Sequence, residues 1–303
     1  MSDSPPSSAG TGAMAAAVAP EGGRRARAQR FRRRLLHRPA TWLSIACLLL
    51  IVAFALLAPW ITGSNPLDGG QDSLLPPLST GHWLGTYDLG RDVWTRVVYG
   101  TRISLLVDVA SAALSVLIGV LVGALAGYYG GWLDTTLMRI AEFFQTLPRF
   151  VLALIVIALF GASVTKMILV IAVLSWPQLA RVVRATVASL NQSQLVDAAR
   201  VAGMGAGAII GREILPNVAA PIVVIGSLDI AAAILIEASL SFFGLGDPNQ
   251  VSWGAMLNDA QQYLRTAWWM SAFPGLGIAL TVLSFNLLGD ALNDALNPRG
   301  EQG

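Results

Sequence analysis

The chain offers few side chains whose type and spacing could perform catalysis. Lysine occurs once, at Lys166, so a glycine-rich phosphate loop ending in Lys-Ser or Lys-Thr is absent and the chain is not itself a Walker-type ATPase. The two histidines, His37 and His82, have no cysteine or carboxylate cluster at the spacing of metal ligands. A Gly-x-Ser-x-Gly nucleophile elbow is also missing. We therefore predict a protein that is not an enzyme, with no catalytic residues and no metal site.

Other ionisable residues lie inside apolar runs, where each costs about 2.5–3.5 kcal/mol on membrane-insertion scales. Such residues are expected to have a buried partner or to face water. Arg149, after Pro148, is our candidate for a cation that lines a water-filled path; a salt bridge to a partner subunit is the alternative. Glu142, the second candidate for the path, shares the predicted helical face of Arg149 about 10 Å away along the axis, so a direct pair is not expected. Asp108 and Asp229 are expected near span ends, where snorkelling or a local hydrogen bond would satisfy them.

The composition identifies the elements that carry these residues. Of 303 residues, 54% are hydrophobic and 13% are charged, and the mean hydropathy is +0.61, which is typical of an integral membrane protein. Apolar runs long enough to cross a bilayer core of about 30 Å predict an all-α fold with six transmembrane helices. The predicted spans are Thr41–Ile61, Ile103–Tyr128, Leu137–Phe160, Met167–Val187, Ala219–Phe243 and Phe273–Leu292.

Basic residues predict the orientation of these spans. The segment Arg24–Arg38 is rich in arginine and directly precedes the first span, so the positive-inside rule places the N-terminus in the cytoplasm, and six spans return the C-terminus there. The predicted parts are a disordered, arginine-rich cytoplasmic tail (1–38), a first transmembrane helix (39–62), an external segment (63–102), a core of five transmembrane helices (103–293) with a cytoplasmic loop (188–218), and a cytoplasmic tail (294–303).

The cytoplasmic loop contains a short segment that favours helix. Residues Asn191–Ala202 are rich in alanine, and Gly203 is expected to end the helix. One interpretation is an amphipathic linker that rests on the lipid headgroups. The other is a coupling helix that inserts between the lobes of an ATPase, where small side chains permit close docking. Composition alone leaves both interpretations open.

The residues of this loop resemble a known family, the binding-protein-dependent ABC import permeases. An acidic residue, two alanines and a glycine are followed, after ten residues, by Ile-Leu-Pro, a spacing similar to that of the peptide-transporting branch. Asp197 stands where members of the family usually carry Glu, so the carboxylate is one methylene closer to the backbone. The matching positions, which the resemblance assigns to ATPase coupling, are Asp197, Ala198, Ala199, Gly203, Ile214, Leu215 and Pro216.

Further motifs resemble the C-type membrane subunit of dipeptide and oligopeptide importers. They lie in the right order, at 82–104, 237–246, 252–256 and 284–299, and the likeness covers nearly everything from Arg34 to Arg299. The first motif precedes the second span. A docking surface for an external binding protein is one interpretation of its charged residues, and the solvated face of a short, capped helix is the other. The residues concerned are Asp88, Arg91, Asp92 and Arg96.

The resemblance implies a type I ABC importer permease (MetI-like) fold in the cytoplasmic membrane of a bacterium. It implies a permease that forms half of the translocation path for dipeptides or oligopeptides. In such a path the cation at Arg149, inferred above from its position, could meet a substrate carboxylate, with the salt bridge to a partner subunit as the alternative. The expected partners are a second homologous permease subunit, two cytoplasmic ABC ATPases, an extracytoplasmic binding protein and the bilayer, with no nucleic acid. The ATPases would use ATP and Mg²⁺, and this chain would bind no cofactor. Import of nickel, opines or another small solute is the alternative, followed by a secondary transporter or channel.

Overall fold

The fold is all-α. The computed structural model describes residues 39–296, and within that range it contains helices and connecting segments but no strand beyond two isolated bridges. The predicted tail 1–38 and most of the predicted tail 294–303 lie outside the described residues. The helices are α1 (Pro39–Thr62), α2 (Val93–Tyr129), α3 (Gly131–Thr146), α4 (Arg149–Phe160), α5 (Val164–Asn191), α6 (Gln194–Val201), α7 (Ala206–Leu245), α8 (Trp253–Ala260) and α9 (Trp269–Leu296).

Five of these helices, α1, α2, α5, α7 and α9, are long and apolar enough to cross a membrane. The pair α3 and α4 becomes a sixth span if its two halves are counted together. The prediction of an all-α membrane protein is therefore confirmed, with five to six spans. The side of the membrane on which each end lies stays a prediction.

The third span is not the continuous helix Leu137–Phe160 that the sequence predicts. Its halves, α3 and α4, meet at an angle of 85°. Leu147 is extended (φ −85°, ψ 137°), as the residue before a proline prefers to be, and Pro148 has no N–H for a helical hydrogen bond. Glu142 and Arg149 consequently lie on different helices, and the expectation that they share a helical face is wrong.

Helices α2 and α5 pack closely along each other. The contact uses three glycines at every fourth position of α2, Gly119, Gly123 and Gly127. A Cβ atom at Gly123 would lie 2.5 Å from the carbonyl oxygen of Ala180 on α5, and one at Gly127 would lie 2.6 Å from that of Arg184. Only glycine fits such an approach, and α5 is the helix that makes it.

Helix α2 begins ten residues earlier than predicted, at Val93. The Asp92 carboxylate caps it and accepts a hydrogen bond from the backbone N–H of Thr95 at 2.8 Å. The preceding segment packs with α8 and the start of α9 in one hydrophobic cluster that includes Tyr87, Trp253 and Met270. The Tyr87 hydroxyl donates to the Met270 carbonyl oxygen at 3.1 Å. This end of the helical bundle is thus covered by a folded layer.

Candidate functional site

The helix of the predicted coupling loop is α6, which lies within the segment Asn191–Ala202. Gly203 has a φ of +79°, a left-handed conformation that side chains disfavour, and it turns the chain away from the helix axis. The Met204 N–H donates to the Ala199 carbonyl oxygen at 3.1 Å and closes the turn. The left-handed backbone conformation at position 203 therefore explains why a glycine stands there.

One face of α6 is fixed to the rest of the molecule. Val196 and Ala199 are buried and pack against Val187 of α5 and against Ile209 and Ile214 of α7. Ala199 and Ile214, both predicted coupling residues, thus contact this chain and are not presented to a docked protein. They join α6 to the ends of two long helices.

The opposite face of α6 is exposed and partly apolar. Leu195, Ala198 and Val201 repeat at every third position along one side of the helix, and Val201 is 90% exposed. Asp197 is exposed beside them and forms an ion pair with Arg200 at 3.1 Å. Of the other predicted coupling residues, Gly203 and Pro216 are exposed and Leu215 is half-buried. The predicted coupling residues did not include Leu195 or Val201. Their spacing, three residues on either side of Ala198, was nevertheless a signal for an apolar stripe on one side of a helix.

The predicted path residues Arg149 and Glu142 have different partners. Arg149 donates through Nη2 to Gln178 Oε1 of α5 at 3.4 Å, and its charge acts on the Asp229 carboxylate of α7. Asp229 lies near the middle of α7 and is 7% exposed, so the expectation of a position near the span end is wrong. Its Oδ2 atom has no hydrogen-bond partner in the described part of the chain. We refer to Arg149, Gln178 and Asp229 as the polar cluster: Arg149 and Gln178 are hydrogen-bonded on its exposed side, and Asp229 is its buried member.

Glu142 belongs to a different polar region, between α3 and α5. Its carboxylate accepts a hydrogen bond from Arg139 at 3.0 Å, and Arg184 binds Asp134 through two nitrogen atoms. The surrounding cavity has a volume of about 340 Å³. It is lined by Asp134, Thr135, Met138, Arg139, Glu142, Arg181 and Arg184. Arg149 is not among the residues of this cavity.

Two buried carboxylates lie where α2 and α7 pack together, close to the start of α8. Glu237 accepts hydrogen bonds from the hydroxyls of Ser104 at 3.4 Å and Ser241 at 2.8 Å. Asp108 is fully buried, and neither carboxylate oxygen has a partner among the described residues. The expectation that Asp108 lies near a span end is wrong because α2 starts at Val93, well before it.

The charged residues of the motif at 82–104 differ in how far they are bonded to other residues of this chain. Arg96 is buried; it forms an ion pair with Asp259 at 2.7 Å, and its guanidinium lies over the Tyr87 ring, 4.4 Å from the centroid. Asp92 caps α2 and also binds Nδ1 of His82 at 2.9 Å. Arg96 consequently belongs neither to an exposed docking surface nor to a solvated helix face. Both interpretations are wrong for this residue.

Asp88 and Arg91 are partly exposed and remain the predicted docking residues. Asp88 accepts a hydrogen bond from the Tyr263 hydroxyl at 3.2 Å, and its negative charge raises the pKa of that hydroxyl. Burial raises the pKa of Tyr87 in the same layer. Both tyrosines therefore stay neutral hydrogen-bond donors well above neutral pH.

Comparisons with known proteins agree with this architecture. Residues 119–302 match the model of the family described as "Binding-protein-dependent transport system inner membrane component". Residues 27–77 match the model described as "N-terminal TM domain of oligopeptide transport permease C". The two matches together extend over both the first span and the core that carries α6.

Curated relatives are similar over most of their length. The dipeptide transport system permease protein DppC of Alkalihalophilus pseudofirmus is 40% identical over 85% of this chain and 86% of its own. The glutathione transport system permease protein GsiD of Pectobacterium atrosepticum is 40% identical over 89% and 90%, and the oligopeptide transport system permease protein OppC of Escherichia coli K12 is 38% identical over 88% and 90%. The chain therefore belongs to the binding-protein-dependent transport permeases, as a multi-pass inner-membrane component of a bacterial ABC transporter.

Proposed function

We propose that the chain forms half of the translocation path of an ATP-driven importer of dipeptides or oligopeptides. The names of the similar permeases, which refer to dipeptides, oligopeptides and glutathione, support a peptide substrate. The observation that carries the coupling role is the exposed apolar stripe of α6, because a helix anchored on one side and apolar on the other is suited to a protein partner.

The proposed complex contains this chain, a second homologous permease, two cytoplasmic ATPases and an external binding protein. The N- and C-termini and the loop 188–218 face the cytoplasm, and the segment 63–102 faces outside. ATP and Mg²⁺ bind to the ATPases. Closure of the ATPases on ATP would favour one of two arrangements of the permease pair, so that the path opens alternately to the two sides.

The contacts of α6 suggest how this motion reaches the path. Val196 and Ala199 pack against α5 and α7, so a displacement of α6 is transmitted to both helices through a close-packed cluster. The same two helices carry Gln178 and Asp229 of the polar cluster. A force applied at α6 therefore acts on the elements that position the proposed path residues.

Substitution Val201→Glu tests the docking role of α6. A carboxylate at this exposed position interrupts the apolar stripe without disturbing the buried face, so we expect dipeptide uptake to fall by about tenfold or more and the ATPases to be lost on purification. Uptake is measured with labelled dialanine in cells that express the whole transporter, and labelled nickel is tested in parallel to compare substrate classes.

The matched control is Asn293→Glu, which adds the same charge at an exposed position of α9. The control variant is expected to transport dialanine at the wild-type rate. Normal uptake and normal ATPase retention in Val201→Glu, at wild-type protein levels, would contradict the coupling role. Uptake of nickel but not of dialanine by the wild-type complex would contradict the peptide substrate.

A further inference from the structure

Three polar side chains lie on three helices that pack against one another. Arg149 begins α4, Gln178 lies near the centre of α5, and Asp229 lies near the centre of α7. The Arg149 guanidinium donates to Gln178 at 3.4 Å and acts electrostatically on Asp229. Charged groups at such a depth are costly in lipid and are typical of substrate or ion paths.

The positive side of this cluster includes the start of a helix as well as a side chain. The first hydrogen bond of α4 runs from the Leu152 N–H to the Pro148 carbonyl oxygen at 3.0 Å, so the amides of Arg149, Phe150 and Val151 precede it. The 85° break turns this end of α4 away from the axis of α3. The N-terminal dipole and the guanidinium together favour an anionic group at this point.

The negative side is an incompletely bonded carboxylate. Asp229 is 93% buried, since 7% of its surface is exposed, and its Oδ2 atom has no hydrogen-bond partner in the described residues. The ion pairs found between residues 39 and 296 do not include one between Asp229 and Arg149. The charge of Arg149 thus acts on Asp229 without an ion pair between the two side chains. This arrangement can accept a molecule that carries both charges.

We propose that Arg149, Gln178 and Asp229 form a two-point recognition site for the free termini of a peptide zwitterion. Arg149 and the start of α4 bind the terminal carboxylate, with Gln178 orienting the guanidinium, and the Asp229 carboxylate accepts a hydrogen bond from the terminal ammonium group. The site rests on the proposed function and deepens it by naming the chemical groups that the path selects.

The exposure of the cluster gives the site an entrance. Gln178 is exposed and Arg149 is half-buried, so this chain leaves a surface open at these two residues, whereas Asp229 is buried. In the proposed complex the second permease would cover this surface and complete the path. Moving a zwitterion out of water costs less free energy when both of its charges are paired than when they are unpaired. Pairing at both ends therefore lowers the barrier at the membrane centre.

The test measures binding of labelled dialanine to the purified complex of both permeases and both ATPases, without the binding protein. Unlabelled dialanine, N-acetyl-dialanine and dialanine amide are the competitors. For the wild-type complex we expect each modified peptide to compete about tenfold more weakly than dialanine. Asp229→Asn is expected to abolish the penalty for N-acetylation only, and Arg149→Gln the penalty for amidation only.

Asp290→Asn and Arg265→Gln, which change exposed residues outside the cluster, serve as controls and are expected to keep the wild-type pattern. If Asp229→Asn and Arg149→Gln weaken the binding of all three peptides equally, the cluster has only a packing role and the proposal is overturned. Absence of discrimination, or of dialanine binding, in the wild-type complex would also overturn it. Uptake of dialanine by the complete transporter is measured separately, so that failure of this site is distinguished from failure of the peptide-import function.

Discussion

Asp108 is the residue with the least favourable surroundings in the described part of the chain. Its carboxylate is fully buried without a hydrogen-bond partner among residues 39–296, and the acidic side chain that acts on it is Glu237. Glu237 itself is held by the hydroxyls of Ser104 and Ser241. The Glu237 side chain is thus satisfied by its neighbours, whereas Asp108 contributes a buried acidic group that no described residue compensates.

Substitution Asp108→Asn is expected to stabilise the protein by about 1 kcal/mol. The amide preserves the size of the side chain, removes an acidic group from the vicinity of Glu237 and supplies N–H donors. Thermal unfolding of the detergent-solubilised complex should show a higher melting temperature than wild type, while Asp290→Asn on the exposed surface leaves it unchanged. A lower melting temperature for Asp108→Asn would show that the carboxylate has a stabilising partner in the complex.

Local residue rules predicted some of these positions and missed others. The positive φ of Gly203 follows from the need to end a helix, and sequence alone indicated it. The burial of Asp108 and Arg96 depends on where α2 begins, which a hydropathy window places too late because the first turns carry charged and polar residues. Unpartnered carboxylates such as Asp229 depend on the packing of three helices, which no local pattern encodes.

At the scale of elements, small residues and prolines determine how the spans meet. Glycines at every fourth position, as in α2, are typical of a close contact between membrane helices, but the choice of α5 as partner required the structure. Pro148 lies within the predicted third span, and the prediction of a continuous helix through it was the largest error in the predicted fold. A long apolar run predicts that a segment enters the membrane; it does not predict that the segment crosses it as one helix.

Substitution Gly123→Val tests the close contact between α2 and α5. A Cβ atom at this position would lie 2.5 Å from the Ala180 carbonyl oxygen and 2.8 Å from Val183 Cβ, so the two helices would have to separate. We expect a loss of about 1–3 kcal/mol of stability, as is typical of overpacked sites, visible as a lower melting temperature and weaker accumulation in the membrane.

Gly275→Ala in α9 is the control for this experiment, because a Cβ atom there meets nothing within 4 Å. This variant is expected to be as stable as wild type or slightly more stable, since alanine favours helix over glycine. Equal melting temperatures for Gly123→Val and wild type would mean that α2 and α5 do not approach as closely as the structure shows.

At the scale of the whole molecule, two helices link the two regions to which we assign function. Helix α5 carries Gln178 and, nearer its end, Val187 against α6; α7 carries Asp229 and, near its start, Ile209 and Ile214. The family motif predicted residues at one end of this link. At the other end the sequence indicated Arg149 as a path candidate, but not its association with Gln178 and Asp229, because these residues are distant in sequence and are brought together only when three helices pack.

Substitution Ile214→Ala tests whether this link transmits force. It opens a cavity beneath α6, at a cost of about 2–5 kcal/mol, but leaves the exposed stripe intact. We therefore expect the ATPases to remain bound while dialanine uptake falls and ATP hydrolysis no longer responds to dialanine and its binding protein. Ile157→Ala, equally buried but in a cluster away from α6, should lower stability comparably and preserve the response. If both variants retain the response, or both lose it, the packing of α6 on α5 and α7 has no specific part in coupling.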